Sequence, residues 1–192
     1  MEMPEDDEVA VTYLIDFLYR GTVPEVVWKP GDKSLTKPIR PLYYLAEKLC
    51  FTQLMDRVID EMTSKGNKYC KCFGGPVVQE VYQNTHRNSK LRVLAVATVA
   101  CSVATIGYKD LERFSALERT TRQFFVDFWK FHAKYSKEVA AHRDKSGQEL
   151  RDAVFGPCAF HTHGKDEECY LKTKEEADPM VIRPVLFTQK SN

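Results

Sequence analysis

Apolar residues recur at helical spacing near the start of the chain. The first set follows the i, i+3, i+4, i+7 rule of a helix with one buried face. Its members are Val11, Leu14, Ile15 and Leu18. A second apolar row on the same helix holds Val9, Tyr13 and Phe17. Acidic residues at the predicted start suit a helix N-terminus, and Gly21 fits a C-terminal cap. Both flanks of this helix are therefore expected to require burial.

Two more helices are expected soon afterwards, one over about 41–50 and one that begins at Thr52. Their apolar positions again repeat at helical spacing. The first buries Leu42, Leu45, Ala46 and Leu49, and the second has apolar residues every four positions at Leu54, Val58 and Met62. Only Phe51 separates them, which predicts a tight helical hairpin. Cys50 and Cys101 lie within apolar patterns and are expected to be small buried side chains.

The chain is expected to divide after this hairpin, with a linker at 65–76. This stretch combines glycines with Lys65, Lys68 and Lys71, which favour solvent. Residues 77–154 predict a helical extension, and an aromatic stripe marks one of its helices: Phe124, Phe128, Phe131 and Tyr135. Residues 155–192 predict an irregular tail with a candidate strand at 181–183. The expected fold class is mainly α.

Composition excludes several classes of protein. The net charge is +1, so no global field favours nucleic acid, and the longest weakly polar run, 93–106, is shorter than a membrane span. The acidic N-terminus is the reverse of a signal peptide. With six cysteines and no export signal, the chain is expected in a reducing compartment, the cytoplasm or nucleus.

Catalytic motifs are absent from the sequence. It contains no nucleophile elbow, no phosphate-binding loop and no dinucleotide fingerprint. We therefore expect no enzyme activity. The aromatic stripe with its neighbouring bases could stack on single-stranded nucleic acid. Helical spacing favours the alternative, a helix that packs on a core, so nucleic acid is not the expected partner.

Four metal-binding side chains lie close together late in the sequence. They are Cys158, His161, His163 and Cys169. Two thiolates and two imidazoles suit tetrahedral zinc, although the spacing differs from that of a standard zinc finger. The alternative is a polar surface loop. A zinc-stabilised regulatory or nucleic-acid-binding module centred on Cys158 to Cys169 is thus a second candidate function.

Four segments resemble known sequence patterns. The string from Pro4 to Pro24, with its Leu18-Tyr19-Arg20-Gly21 turn, resembles the third helix region of a BTB/POZ domain. The string from Leu42 to Leu49, followed by Leu54, Val58 and Ile59, resembles the final helical hairpin of that family. The string from Val77 to Arg92, and the late Cys/His cluster, are similar to the C-terminal extension of filamentous-fungal BTB proteins. The resemblance assigns residues 1–64 to the C-terminal part of such a domain and 77–154 to the extension.

The resemblance implies a non-enzymatic protein-interaction module. Members of the family dock other proteins, often by self-association and sometimes as adaptors on a cullin ubiquitin ligase. The contact residues that it implies here are Tyr19, Arg20 and Tyr43. A complete BTB domain would also have an N-terminal sheet and two earlier helices. We therefore expect a truncated domain, or a neighbouring surface that covers the first helix.

Overall fold

Helices account for the secondary structure of the described residues. The computed structural model describes residues 7–25, 38–69, 73–106, 121–156, 158–163 and 167–171. Within these ranges there are seven helices and no strand: α1 (Glu8–Arg20), α2 (Arg40–Lys48), α3 (Thr52–Tyr69), α4 (Gly75–Asn84), α5 (Lys90–Ile106), α6 (Arg122–Ala141) and α7 (Gly147–Val154). The expected mainly α fold class is confirmed. None of the described helices combines the length and apolarity that crossing a membrane would require.

The ends of α1 follow directly from its sequence. Asp7 is the N-cap, and its carboxylate accepts hydrogen bonds from the backbone N–H groups of Val9 and Ala10 at 2.9 and 3.1 Å. Gly21 ends the helix with φ 66°, a left-handed conformation that glycine adopts without a Cβ penalty. The bounds predicted from the acidic entry and from Gly21 are therefore confirmed.

The hairpin of α2 and α3 turns at Leu49, Cys50 and Phe51. Phe51 packs edge-on against Phe17 of α1, with ring centroids 5.5 Å apart. Cys50 has φ 53°, and its side chain is exposed. The prediction that Cys50 is a buried residue of an apolar helix face was wrong, because the helix ends before it. Cys101 in α5 is buried as expected.

The expected linker at 65–76 begins inside a helix. α3 continues to Tyr69, so its last turns occupy positions that glycine and lysine content had assigned to a loop. Lys65 is 8 % exposed, and its Nζ lies 2.6 Å from Glu25 Oε1 and 3.7 Å from Glu61 Oε1. These two carboxylates explain why a lysine is buried rather than solvated. Cys70 and Cys72 lie outside the described residues.

The core runs across the expected domain boundary. One apolar cluster contains Leu54 and Val58 of α3 together with Leu91 and Leu94 of α5. Residues 1–162 form one compact unit. A bidentate ion pair reinforces this connection, with Arg40 of α2 donating to Glu80 of α4 at 3.1 and 2.6 Å.

The aromatic stripe of α6 packs on the core, as its helical spacing predicted. Phe124 and Phe131 are buried, whereas Trp129 is exposed. A capping box of Ser146 and Glu149 starts α7. Residues 163–192 form a second unit, in which only 163 and 167–171 are described. The candidate strand at 181–183 lies outside the described residues.

Candidate functional site

The four expected zinc ligands have their donor atoms close together. One ligand atom from each of Cys158, His161, His163 and Cys169 lies within 4.8 Å of the others. His161 and Cys169 are buried, and Cys158 and His163 are partly exposed. Ligand atoms around a tetrahedral zinc ion are about 3.3–3.8 Å apart, from bond lengths of about 2.0–2.3 Å.

A turn after α7 places the first two donors on one side of the chain. The backbone N–H of Ala159 donates to the Gly156 carbonyl at 3.0 Å, and that of His161 donates to the Cys158 carbonyl at 3.1 Å. The second bond makes Cys158 and His161 the two ends of a single turn. Residues three apart in such a turn point to the same side, so the thiol and the imidazole converge.

Two carboxylates of α3 hold this turn in place. Asp60 Oδ1 lies 2.8 Å from Nε2 of His161, and Asp56 Oδ1 accepts the backbone N–H of Thr162 at 2.6 Å. The two aspartates are four residues apart and thus on the same side of α3. A carboxylate on the outer nitrogen of a histidine is a common feature of zinc sites, where it orients the ring and raises its basicity.

Sequence reasoning did not identify these two aspartates. In the structure Asp56 is 2 % exposed and lies among the buried apolar positions of α3, where a carboxylate requires a partner. Its partner is about a hundred residues away along the chain, which local periodicity cannot reveal.

The three expected interaction residues have different surroundings. Tyr19 is 86 % exposed and Arg20 is also exposed, both at the end of α1. Tyr43 is fully buried, so it does not belong to a surface in this structure. Its hydroxyl pairs with Ser89 Oγ at 3.3 Å and accepts the N–H of Leu91 at 3.3 Å. Burial is the main reason why the pKa of Tyr43 rises to about 12.

One side of α1 exposes large apolar side chains. Ile15, Leu18 and Tyr19 are 48 %, 64 % and 86 % exposed, and their i, i+3, i+4 spacing makes them neighbours on the helix surface. We call these three residues the α1 outer face. Ala10 and Phe17 on the opposite side are buried against the core. The double apolar flank expected from the sequence is therefore half covered and half exposed.

A second apolar surface lies between α5 and α6. It is a groove of about 640 Å³, with Val103, Phe128, Trp129 and Arg143 among its lining residues. Its aromatic residues pack against one another, with Phe128 and Trp129 in edge-to-face contact at 5.9 Å. Residues 107–120, which connect the two helices in sequence, lie outside the described residues.

Comparison with known proteins gives no relative. No known protein family, curated protein or solved structure matches this chain.

Proposed function

We propose that this chain is a protein-interaction module that docks a partner through the α1 outer face. The observation that carries the proposal is the exposure of Ile15, Leu18 and Tyr19 on a helix whose other side is already packed. Burial of a large apolar side chain is worth about 1.5–3 kcal/mol relative to exposure. A partner that covers three such neighbours gains a compact anchor of the kind that dominates protein interfaces.

The charges of α1 favour a protein partner over a membrane. Asp7 and Glu8 lie at the start of the helix, Asp16 lies one residue from Ile15, and Arg20 is at the end. Helices that bind anionic lipid surfaces carry lysine and arginine along their polar side. The partner surface that fits α1 is an apolar groove or helix face with a basic group near the start of α1 and an acidic group near Arg20.

The resemblance to BTB/POZ domains makes the proposal more specific. In that family the corresponding helix is covered by other parts of the domain, and the assembled domain self-associates or binds a cullin scaffold. We therefore propose docking of BTB type, with an adaptor role as its more specific form. What supports this is the exposed outer face together with the Leu18-Tyr19-Arg20-Gly21 ending of α1.

Matched variants test the proposal. Ile15→Glu with Leu18→Glu should abolish capture of a partner protein from a cell extract, because it places charges within the apolar contact. Val93→Glu with Val126→Glu is the control, since those valines are similarly exposed on α5 and α6. Circular dichroism should show the same helicity and melting for both. Sedimentation of the purified chain separates self-association from binding of another protein.

Two results would contradict the proposal. One is that both double variants and the unmodified chain capture the same proteins and sediment alike. The other is that the control variants lose binding while Ile15→Glu with Leu18→Glu retains it, which would assign docking to another surface.

The Cys/His cluster supports a second candidate function, a zinc-stabilised regulatory module. This candidate is supported by the closeness of the four ligand atoms, which all lie within 4.8 Å of one another. Nucleic-acid binding at this cluster is disfavoured by charge, because Glu167 and Glu168 precede Cys169 and Asp60 contacts His161. Metal analysis tests this candidate separately from the α1 outer face.

A further inference from the structure

We propose that Cys158, His161, His163 and Cys169 bind one Zn²⁺ ion, and that Asp60 of α3 acts as the positioning residue for His161. Asp60 is not itself a ligand in this arrangement. The proposal is independent of docking through α1, because it concerns different residues and a different kind of ligand.

The donor set selects the metal. Two thiolates and two imidazoles suit a borderline-soft ion that accepts tetrahedral coordination, as structural zinc sites do. Calcium and magnesium prefer oxygen donors, which are absent from these four side chains. A set of four protein ligands leaves no open position on a tetrahedral ion, so the site is structural rather than catalytic.

Asp60 determines which nitrogen of His161 faces the ion. Its Oδ1 lies 2.8 Å from Nε2, so Nε2 carries the proton of this hydrogen bond and Nδ1 is the metal ligand. The side chain of His161 is fully buried, which restricts the ring to this orientation. The carboxylate also increases the electron density of the imidazole, and a more basic imidazole binds zinc more tightly.

Metal binding would attach the segment after α7 to α3. Thr162, next to His161, is already held by Asp56 through its backbone N–H at 2.6 Å. Binding forms two Zn–S and two Zn–N bonds, and each thiol that was protonated releases its proton to solvent. The free energy of zinc binding then stabilises the folded state, because the unfolded chain does not hold the four donors together.

The first experiment measures zinc in the purified full chain. Elemental analysis after exhaustive dialysis should find one zinc ion per chain. Cys158→Ser and Cys169→Ser should each lose stoichiometric zinc. Cys50→Ser is the matched control, since Cys50 is an exposed thiol far from the cluster in sequence, and it should retain the ion.

The second experiment tests Asp60 and does not require a variant that lacks a ligand. Zinc is removed with a chelator, and Co²⁺ and then Zn²⁺ are titrated into the chain. Co²⁺ should give the visible absorption of a tetrahedral site with a thiolate charge-transfer band. Asp60→Asn should weaken zinc affinity about 10- to 100-fold while the cobalt spectrum keeps its shape. Asp144→Asn, which changes an exposed carboxylate, should leave affinity unchanged.

Three outcomes would overturn the proposal. The first is a chain that holds no stoichiometric zinc and gives no tetrahedral cobalt spectrum. The second is a disulfide between Cys158 and Cys169 under reducing purification, seen as the loss of two hydrogens in the intact mass. The third is equal zinc affinity in Asp60→Asn and the unmodified chain, which would remove the positioning role.

Discussion

We expect the first three helices and the later ones to unfold in one cooperative transition, because an ion pair between Arg40 and Glu80 joins α2 to α4. The guanidinium is 3 % exposed and donates two hydrogen bonds to a carboxylate that is 37 % exposed. Glu80→Gln removes the negative charge and leaves a buried cation facing a neutral amide. Tyr44 also donates to Glu80 at 3.2 Å, so the substitution weakens a second contact between α2 and α4.

The size of the effect follows from burial. Two unit charges about 4 Å apart interact by roughly 4 kcal/mol at an effective dielectric constant of 20. Solvent reaches the carboxylate, which reduces this value, so we expect Glu80→Gln to lower the free energy of unfolding by about 2 kcal/mol. Glu138→Gln neutralises an exposed carboxylate on α6 and should change the free energy of unfolding by no more than about 0.5 kcal/mol.

Urea unfolding followed by circular dichroism provides the measurement. The unmodified chain should show one transition, and Glu80→Gln should shift that whole transition to lower urea. In an Arg40→Met background the effect of Glu80→Gln should shrink towards that of the control, which a double-mutant cycle reports directly. Two separate unfolding transitions, of which Glu80→Gln shifts only one, would refute the expectation that the helices unfold cooperatively. A change within the range of Glu138→Gln would refute the energetic role of the pair.

Two further predictions concern local features. Burial raises the pKa of the Cys101 thiol from 9.0 to about 11, so the folded state keeps this thiol neutral at pH values where the unfolded chain ionises it. The contribution of the neutral thiol to the free energy of unfolding is therefore fully present below pH 9 and is lost as pH rises to 11. The free energy of unfolding should fall by up to about 2 kcal/mol over this range, and less in Cys101→Ala. Gly21→Ala should cost about 1 kcal/mol in urea unfolding because φ is 66°, whereas Gly156→Ala, in open space without a positive φ, should be neutral. The first prediction would be contradicted if Cys101→Ala and the unmodified chain lost the same free energy of unfolding between pH 9 and 11. The second would be contradicted if Gly21→Ala and Gly156→Ala lowered the free energy of unfolding equally.

Sequence patterns predicted the helices well where local signals agreed. The start of α1 at Asp7 and its end at Gly21 both followed from side-chain chemistry within one turn. The far end of α3 was missed because glycine and lysine content suggested solvent. Lys65 pairs with Glu25, a tertiary contact 40 residues away in sequence, and with Glu61, its i,i+4 neighbour on α3. Helix propensity alone cannot anticipate the contact with Glu25.

The sequence predicted the metal-ligating residues of the candidate site. It did not predict the aspartates of α3 that contact this part of the chain. Cys158 and His161 were evident from residue type and proximity in sequence. The contribution of Asp60 depends on packing between α3 and a turn about a hundred residues later, which no local pattern contains. Tyr43, which the resemblance implied as a contact residue, is buried, and its hydroxyl contacts Ser89 and Leu91 inside the core.

Photo-crosslinking from Tyr19 tests the central claim most directly. A photoreactive phenylalanine analogue replaces Tyr19, which is 86 % exposed. On irradiation of the cells that make the chain, it should form a covalent adduct with a protein partner. Ile15→Glu in the same chain should remove that adduct. The same analogue at Lys137, exposed on α6, should give none. Absence of an adduct at Tyr19, or an equal adduct at Lys137, would contradict docking through the α1 outer face.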